Sequence, residues 1–201
     1  MIKIYTLRHG QTDYNLRMIY QGNKLASPLN ETGKREAEIA RVAFHEIRLD
    51  AIISNPLERC IYTAGPIASE KGLELKVWPE TTEIDHGYLN GTSYAHTPDI
   101  WPSIFDSANR RDAETVEQVY TRAEAAKARL LREYGNSDNT ILMVSGQGFI
   151  AMLCCSLLGI GRPALIREYL LENLKYHYFE IDTNGTAQVY KLNQQLSHRV
   201  C

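Results

Sequence analysis

The chain has 201 residues, of which 44% are apolar and 23% are charged, and its formal net charge is −2. Length and composition are those of an ordinary globular protein, with room for one sizeable α/β domain or two small ones. The small net charge and the lack of an apolar run long enough to cross a bilayer argue against a nucleic-acid partner and a membrane partner.

The cysteines favour a reducing environment. Cys60, Cys154, Cys155 and Cys201 are the cysteines of the chain, and their spacing is not that of a metal site. Cys154 and Cys155 are adjacent within an apolar stretch, which is typical of buried free thiols. Since the first residues lead into a strand without a signal-peptide pattern, we expect a cytoplasmic protein.

The first predicted elements are a strand at residues 2–6 and a helix that begins near residue 30. Asn30 or Thr32 is the candidate N-cap, and the helical pattern continues to about Ile47. Its predicted inner face consists of apolar residues at helical spacing, Ala37, Ala40, Phe44 and Ile47.

A second strand and helix follow directly. Residues 51–54 form a short apolar run typical of a buried strand. Residues 57–71 show a helical pattern, which Pro66 is expected either to kink or to split. Gly72 is the predicted C-terminal cap, and residues 73–78 alternate as in a third strand.

Residues 79–113 are irregular and rich in proline and aromatic residues. We interpret about 84–113 as a lid or insertion within a single domain that covers residues 1–201. Later patterns predict a helix at 115–134, a strand at 140–145, a buried helix at 148–158, and a hairpin of strands 176–182 and 187–192 around Asn184-Gly185.

Strands interleaved with helices predict an α/β fold with three layers, α/β/α. The sheet should be mostly parallel and covered on both faces, and the terminal hairpin should add antiparallel strands at one edge. Of the histidines outside the motifs below, His177 shares a strand face with apolar residues and is expected in the core, whereas His45 should be solvated.

Arg8, His9 and Gly10 follow the first strand, and Arg59 follows the second. In a doubly wound sheet, such strand ends converge on one edge, where ligands bind. Two guanidinium groups and an imidazole would make a compact pocket for an anion, and phosphate suits the geometry of arginine. Because no acidic cluster accompanies them, neither a metal nor another cofactor is implied.

Five ordered blocks of sequence carry a family resemblance. They are Arg8-His9-Gly10-Gln11-Thr12 with Asn15, Gln21-Gly22 with residues 27–33, residues 54–60 with Thr63-Ala64, Glu83-Ile84-Asp85-His86-Gly87, and Val144-Ser145-Gly146-Gln147-Gly148. Together they resemble the signature of the histidine phosphatase superfamily, the phosphoglycerate mutase-like proteins. Blocks in this order are far more specific than any single motif.

The resemblance implies a phosphoglycerate mutase-like fold and a role for each matching residue. His9 would attack phosphorus and become a phosphohistidine, with its other ring nitrogen hydrogen-bonded to a backbone carbonyl. Arg8 and Arg59 would neutralise the transferring group, and Glu83 would protonate the leaving oxygen and later activate water. The matching substrate-pocket positions are Asn15, Gln21 and Gly22.

The fifth block departs from the family pattern, which has a second histidine where this chain has Gly146. Loss of one charged donor at a developing charge can lower a rate by about two to three orders of magnitude. Three alternatives follow. The amide of Gln147 fills the gap as a phosphate ligand, His86 reaches into it, or the protein binds phosphorylated ligands with little turnover.

The expected function is hydrolysis of a small phosphomonoester, without metal, through His9. The alternative is a degenerate family member that binds phosphorylated ligands as a regulatory or binding module, and a phosphoglycerate mutase is less favoured because the insertion is small. The expected partner is a small phosphorylated metabolite, not nucleic acid or membrane. The identity of the ester, chosen by residues 84–113, and the presence of a homo-oligomer stay open.

Overall fold

The computed structural model describes residues 1–95, 112–160 and 168–196. Its strands are β1 (Ile2–Arg8), β2 (Ala51–Ser54), β3 (Leu75–Val77), β4 (Asn139–Ser145), β5 (Lys175–Ile181) and β6 (Ala187–Gln195). Its helices are α1 (Asp13–Leu16), α2 (Glu31–Ala43), α3 (Glu58–Lys71), α4 (Val116–Tyr134) and α5 (Gln147–Leu157), and short 3-10 turns cover Pro79–Thr81 and Gly87–Leu89.

Within these residues the strands form one six-stranded sheet in the order β3-β2-β4-β1-β5-β6. The four strands from β3 to β1 are parallel to one another. β5 pairs antiparallel with β1, and β6 pairs antiparallel with β5, so the hairpin forms one edge. The predicted mixed α/β fold, mostly parallel with antiparallel edge strands, is therefore confirmed.

Helices cover both faces of the sheet. Because successive side chains of a strand point to opposite faces, the strands supply two separate apolar surfaces. One core places Leu7, Ile52 and Leu142 against residues of α2 and α3, among them Ala40, Ala64 and Ile67, and against Phe44, which caps α2. The other places Ile4, Ile53, Ile141 and Met143 against residues of α4 and α5, among them Val119, Ala123, Leu130, Phe149 and Leu153.

The helix boundaries follow the capping residues. α2 begins after Asn30, whose Oδ1 accepts a hydrogen bond from the backbone N–H of Gly33 at 2.9 Å, so Thr32 is not the cap. α2 ends at Ala43, four residues before the predicted end at Ile47, because the chain leaves the helix at Phe44 and closes short turns there. Ile47 still packs against the core from outside the helix.

The other elements agree with their predicted positions to within a few residues. α3 passes through Pro66 without splitting, and Gly72 ends it in the left-handed conformation with φ 62°. β3 is shorter than predicted, with three residues instead of six. His177 is buried, with Nε2 3.0 Å from the carbonyl oxygen of Tyr169, and His45 is exposed, so both predictions hold.

Of the predicted lid at 84–113, residues 96–111 lie outside the described residues. The remainder is irregular apart from the 3-10 turn at Gly87–Leu89. Along the described parts of the chain, no helix combines the length and the apolar character that crossing a membrane requires.

Candidate active site

The carboxyl ends of β1, β2 and β4 meet at one edge of the sheet and border a cavity of about 220 Å³. Sequence analysis proposed eight site residues, and all of them line this cavity: Arg8, His9, Asn15, Gln21, Gly22, Arg59, Glu83 and Gln147. His86 lines it as well, together with Ile19, Tyr20, Tyr94 and Gly148.

His9 is buried, and its two ring nitrogens have different partners. Nδ1 lies 2.7 Å from the carbonyl oxygen of Gly10, and because a carbonyl only accepts, Nδ1 carries the proton. Nε2 therefore has a lone pair, and it accepts a hydrogen bond from Nε of Arg59 at 3.2 Å. The predicted hydrogen bond from the ring to a backbone carbonyl is present.

The surroundings of His9 favour its neutral form. Burial, followed by the positive charges of Arg59 and Arg8, holds the pKa of His9 well below its ordinary value of 6.5. A neutral imidazole with an accessible lone pair on Nε2 is the form that can attack an electrophile.

Arg59 is 2% exposed and stands in the first turn of α3. Besides His9, its guanidinium contacts the carbonyl oxygen of Gly22, which accepts from the terminal NH2 group at 2.7 Å. Asn55 shapes the turn before the helix, since its side-chain oxygen accepts from the backbone N–H of Leu57 at 2.9 Å. Arg59 thus spans the cavity from α3 to the loop at Gly22.

Arg8 lies at the end of β1, and its guanidinium is largely buried. One terminal nitrogen donates to the carbonyl oxygen of Leu171 at 2.6 Å, whereas the buried Nε has no hydrogen-bond partner within the described parts of the chain. Burial lowers the pKa of Arg8 from its usual value. A buried guanidinium with an unused donor is an attractive position for an anion.

Glu83 is held against the N-terminus of α5. Its Oε1 accepts from the backbone N–H of Ile84 at 2.7 Å and from that of Phe149 at 3.0 Å, and its Oε2 accepts from the N–H of Gly148 at 3.0 Å. The first N–H groups of a helix have no partners within the helix, and they stabilise a carboxylate. We call these three N–H groups, with Gly146 and Gly148 beside them, the Glu83 seat.

Gly146 is the N-cap of α5, and the space where its side chain would stand is taken by Glu83. A β-carbon at Gly146 would lie 2.0 Å from Oε2 of Glu83. Both candidates for the missing donor, Gln147 and His86, reach the cavity. The ring of His86 packs against Tyr20, with 5.0 Å between the ring centroids.

The residues matched to the substrate pocket are fixed by local structure. Asn15 belongs to a capping box with Thr12, in which each side chain bonds the other's backbone, and this short helix α1 was not predicted. The side-chain oxygen of Gln21 accepts from Ser27 at 2.6 Å. Gly22 has φ 57°, and a β-carbon there would lie 2.1 Å from Oδ1 of Asn90.

Sequence reasoning missed Asn173 and the backbone of Leu171. Nδ2 of Asn173 donates to the carbonyl oxygen of His9 at 2.9 Å and to Oδ1 of Asn15 at 3.2 Å. The segment just before β5 therefore fastens both Arg8 and His9. No local pattern signals this role, because its partners lie more than 150 residues earlier in the chain.

Arg122, on α4, fastens the loop that leads to Glu83. Its guanidinium pairs with Glu114 through two bonds of 2.8 Å and donates to the backbone carbonyls of Glu80 at 2.8 Å and Thr82 at 2.9 Å. The ring of Phe149 lies 5.4 Å from the same guanidinium. Glu83 is thus positioned both from α5 and from α4.

Among the described residues, no three His, Cys, Asp or Glu side chains are grouped as the ligands of a metal ion would be. Charged side chains that line the cavity are Arg8, Arg59 and Glu83. This arrangement can bind a tetrahedral anion next to a nucleophile and a carboxyl group.

Comparison with known proteins places this geometry in context. A family profile described as the histidine phosphatase superfamily (branch 1) matches residues 4–195. Phosphoserine phosphatase 1 of Hydrogenobacter thermophilus is 29% identical over 167 residues, which cover 80% of this chain and 78% of the relative. The adenosylcobalamin/alpha-ribazole phosphatase of Escherichia coli is 26% identical over 171 residues, 82% of this chain and 83% of the relative.

A solved structure has the same fold. The mycobacterial glucosyl-3-phosphoglycerate phosphatase superposes with a TM-score of 0.83 at 23% identity, and the match covers 96% of this chain and 99% of that one. At this identity the likeness concerns the fold alone.

Proposed function

Because the chain belongs to the histidine phosphatase superfamily, we propose that it hydrolyses a small phosphomonoester through a phosphohistidine at Nε2 of His9. The observation that carries the proposal is the state of the His9 ring. Its proton is on Nδ1, facing Gly10, and its lone pair is on Nε2, beside Arg59. This is the tautomer that a nitrogen nucleophile needs.

In the first step, Nε2 of His9 bonds to phosphorus while the bond from phosphorus to the ester oxygen breaks. The Nε–H of Arg59 turns from His9 and donates a hydrogen bond to an oxygen of the phosphoryl group. The buried Nε–H of Arg8 donates to a second phosphoryl oxygen. Protonated Glu83 gives its proton to the leaving oxygen. In such transfers, neutralising the charge of the transferring group supplies most of the catalysis.

In the second step, a water molecule attacks the phosphohistidine from the side of Glu83. The oxygen of water bonds to phosphorus, the bond to Nε2 breaks, and Glu83 takes the proton that water loses. His9 returns to its neutral form and Glu83 to its acid form, so the cycle leaves an alcohol and inorganic phosphate. The amide of Gln147 supports the phosphoryl oxygens as a neutral donor.

The proposed substrate is a small phosphorylated metabolite. Support comes from the cavity of about 220 Å³ and from relatives that are named phosphatases of phosphoserine and alpha-ribazole phosphates. The same proposal takes residues 1–201 as one catalytic domain in the cytoplasm and places the choice of ester in residues 84–113.

A second function, binding of phosphorylated ligands with little turnover, is favoured by Gly146, which provides no side-chain donor. The substitution Gly146→His would not distinguish clearly between the two functions. A β-carbon there would overlap Glu83. The variant would therefore gain a hydrogen-bond donor and at the same time displace the carboxyl group, and the two effects on activity could not be told apart.

The experiment compares the native chain with His9→Ala on p-nitrophenyl phosphate in the presence of a chelator. We expect turnover that resists the chelator and disappears in His9→Ala, with exposed His45→Ala as the matched control. Brief incubation should also leave an acid-labile, alkali-stable phosphoryl group on the native chain alone. Turnover equal in the native chain and in His9→Ala, across a panel of metabolite esters, would contradict the proposal and favour the binding module.

A further inference from the structure

The Glu83 seat gives the two carboxyl oxygens different surroundings. Oε1 receives two backbone hydrogen bonds, from Ile84 and Phe149. Oε2 receives one from the described residues, that of Gly148. An oxygen that already accepts two donors has no lone pair left for a proton, whereas Oε2 keeps one. The proton of the acid form therefore belongs on Oε2.

Two glycines make the space for this arrangement. A β-carbon at Gly146 would stand 2.0 Å from Oε2, and a β-carbon at Gly148 would stand 2.7 Å from Oε1. Both distances are far below van der Waals contact, so a side chain at either position would displace Glu83 from its seat. A side chain at Gly148 would also displace Ile84, whose Cδ1 would lie 2.7 Å from the β-carbon. The backbone at Gly146, with φ −91° and ψ 164°, suits any residue. The requirement for glycine at position 146 is therefore spatial.

We propose that Gly146 and Gly148 are positioning residues for Glu83, and that Oε2 of Glu83 is the atom that carries the transferred proton. The proposal rests on the proposed function. The glycine at position 146 then contributes to the function of this site, because it leaves the space that Oε2 occupies. When Oε2 releases its proton to the leaving oxygen, the N-terminus of α5 stabilises the carboxylate that results.

The test uses two substrates of similar shape whose leaving groups differ. p-Nitrophenolate is a weak base and departs without a proton, whereas phenolate is more basic and benefits from one. We expect Gly146→Ala to lower kcat/KM on phenyl phosphate by about 100-fold, within the range for a general acid, because kcat/KM reports the step in which the leaving group departs and not the hydrolysis of the phosphohistidine. On p-nitrophenyl phosphate we expect a much smaller loss. Gly65→Ala is the matched control, since a β-carbon at Gly65 of α3 meets nothing within 4 Å.

A double-mutant cycle with Glu83→Gln ties the effect to Glu83. Glu83→Gln keeps the shape of the side chain but removes its transferable proton, so Gly146→Ala should cost nothing more on phenyl phosphate in that background. Additive losses in kcat/KM, equal losses in kcat/KM on the two substrates, or an unchanged kcat/KM in Gly146→Ala would each overturn the proposal.

A measurement without turnover separates this proposal from the proposed function. Glu83→Ala and Gly146→Ala should both shift the amide resonances of Gly148 and Phe149 and speed their hydrogen exchange, whereas Gly65→Ala should not. Unchanged amide resonances and exchange rates in both variants would show that Glu83 does not bind these N–H groups, and would overturn the proposal. Shifted amides in a chain that hydrolyses no ester would keep the seat, and would reject the proposed function together with the proton transfer by Oε2.

Discussion

The Nε–H group of Arg59 points at Nε2 of His9, with 3.2 Å between the two nitrogens. The proposed nucleophile and its neighbouring cation are therefore hydrogen-bonded to each other. In the proposed reaction, this N–H donates to the phosphoryl group instead of His9 before Nε2 bonds to phosphorus. The terminal NH2 of Arg59 donates to the carbonyl oxygen of Gly22 at 2.7 Å.

Arg59→Lys should lower kcat/KM by about 100-fold or more, a typical loss when a donor to a developing charge is removed. Lysine has a single cationic nitrogen and cannot reach both Nε2 of His9 and the carbonyl of Gly22. Steady-state kinetics on p-nitrophenyl phosphate check this, with exposed Arg132→Lys as the matched control. Activity within twofold or so of the native chain would contradict a role for the guanidinium in the transfer.

The free energy of unfolding should fall as the pH drops below the pKa of an ordinary histidine, about 6.5. Burial, then Arg59 and Arg8, hold the pKa of His9 well below 6.5, and burial lowers the pKa of His177. Below about pH 6.5, His9 and His177 bind protons in the unfolded chain but stay neutral in the folded protein. The free energy of unfolding is therefore undiminished by these histidines above that pH. Below it, the free energy of unfolding falls progressively, by up to about 1.4 kcal/mol per pH unit for each histidine.

Urea unfolding from about pH 7.5 down to pH 5.5 measures this dependence. His9→Gln should flatten the pH dependence of the free energy of unfolding relative to the native chain. An equal slope in His9→Gln and in the native chain would show that His9 does not titrate abnormally.

The pH profile of activity should follow from the same pKa. Attack requires neutral His9, so the acid limb of kcat/KM due to His9 should lie below pH 6.5. Arg59→Gln, which removes the positive charge nearest the ring, should move that limb to higher pH in its residual activity. A profile that does not move would assign the limb to another group.

Asn173→Ala should cost about 1–2 kcal/mol of unfolding free energy, because it leaves the buried carbonyl of His9 without its donor. It should also lower kcat, since the backbone that orients the ring loses a contact. Urea unfolding and kinetics measure the two effects, and Gln188→Ala, exposed on β6, is the control. A stability loss with kcat unchanged would limit Asn173 to a structural role.

Arg122→Ala should destabilise the protein by about 2 kcal/mol, because the pair with Glu114 and the carbonyls of Glu80 and Thr82 all lose their donor. Since those carbonyls belong to the loop before Glu83, activity on phenyl phosphate should fall further than activity on p-nitrophenyl phosphate. Arg132→Ala, which is exposed, should change neither quantity. Equal losses on both substrates would separate this loop from proton transfer.

Local patterns predicted most of the fold. Asn30 was a recognisable cap, Gly72 ended α3 as expected, and Asn184-Gly185 marked the terminal hairpin, because each depends on neighbours in sequence. The end of α2 was placed too late, since the apolar spacing of Phe44 and Ile47 continues beyond the last helical turn. Phe44 and Ile47 pack against the core although they lie beyond the end of the helix, so apolar spacing alone did not locate that end.

The site was predictable where residue type specifies chemistry, as for His9 and Arg59. Apart from the bond from the His9 ring to the carbonyl of Gly10, contacts made through the backbone were not predicted. The fastening of Arg8 by the carbonyl of Leu171 carries no side-chain signal, and the seating of Glu83 on α5 depends on a cap that contributes only space, Gly146. Sequence reasoning described that glycine as a missing histidine, and only the three-dimensional structure shows what stands in its place.

The position of β1 in the sheet has a consequence for biosynthesis. β1 is translated before its neighbours in the sheet, β4 and β5, and Leu171 and Asn173 contact its C-terminal end at Arg8 and the following His9. Contacts so distant in sequence slow folding, because a long loop must close before they form. In the nascent chain, Arg8 and His9 therefore lie in an incomplete pocket until Leu171, Asn173 and β5 have been translated.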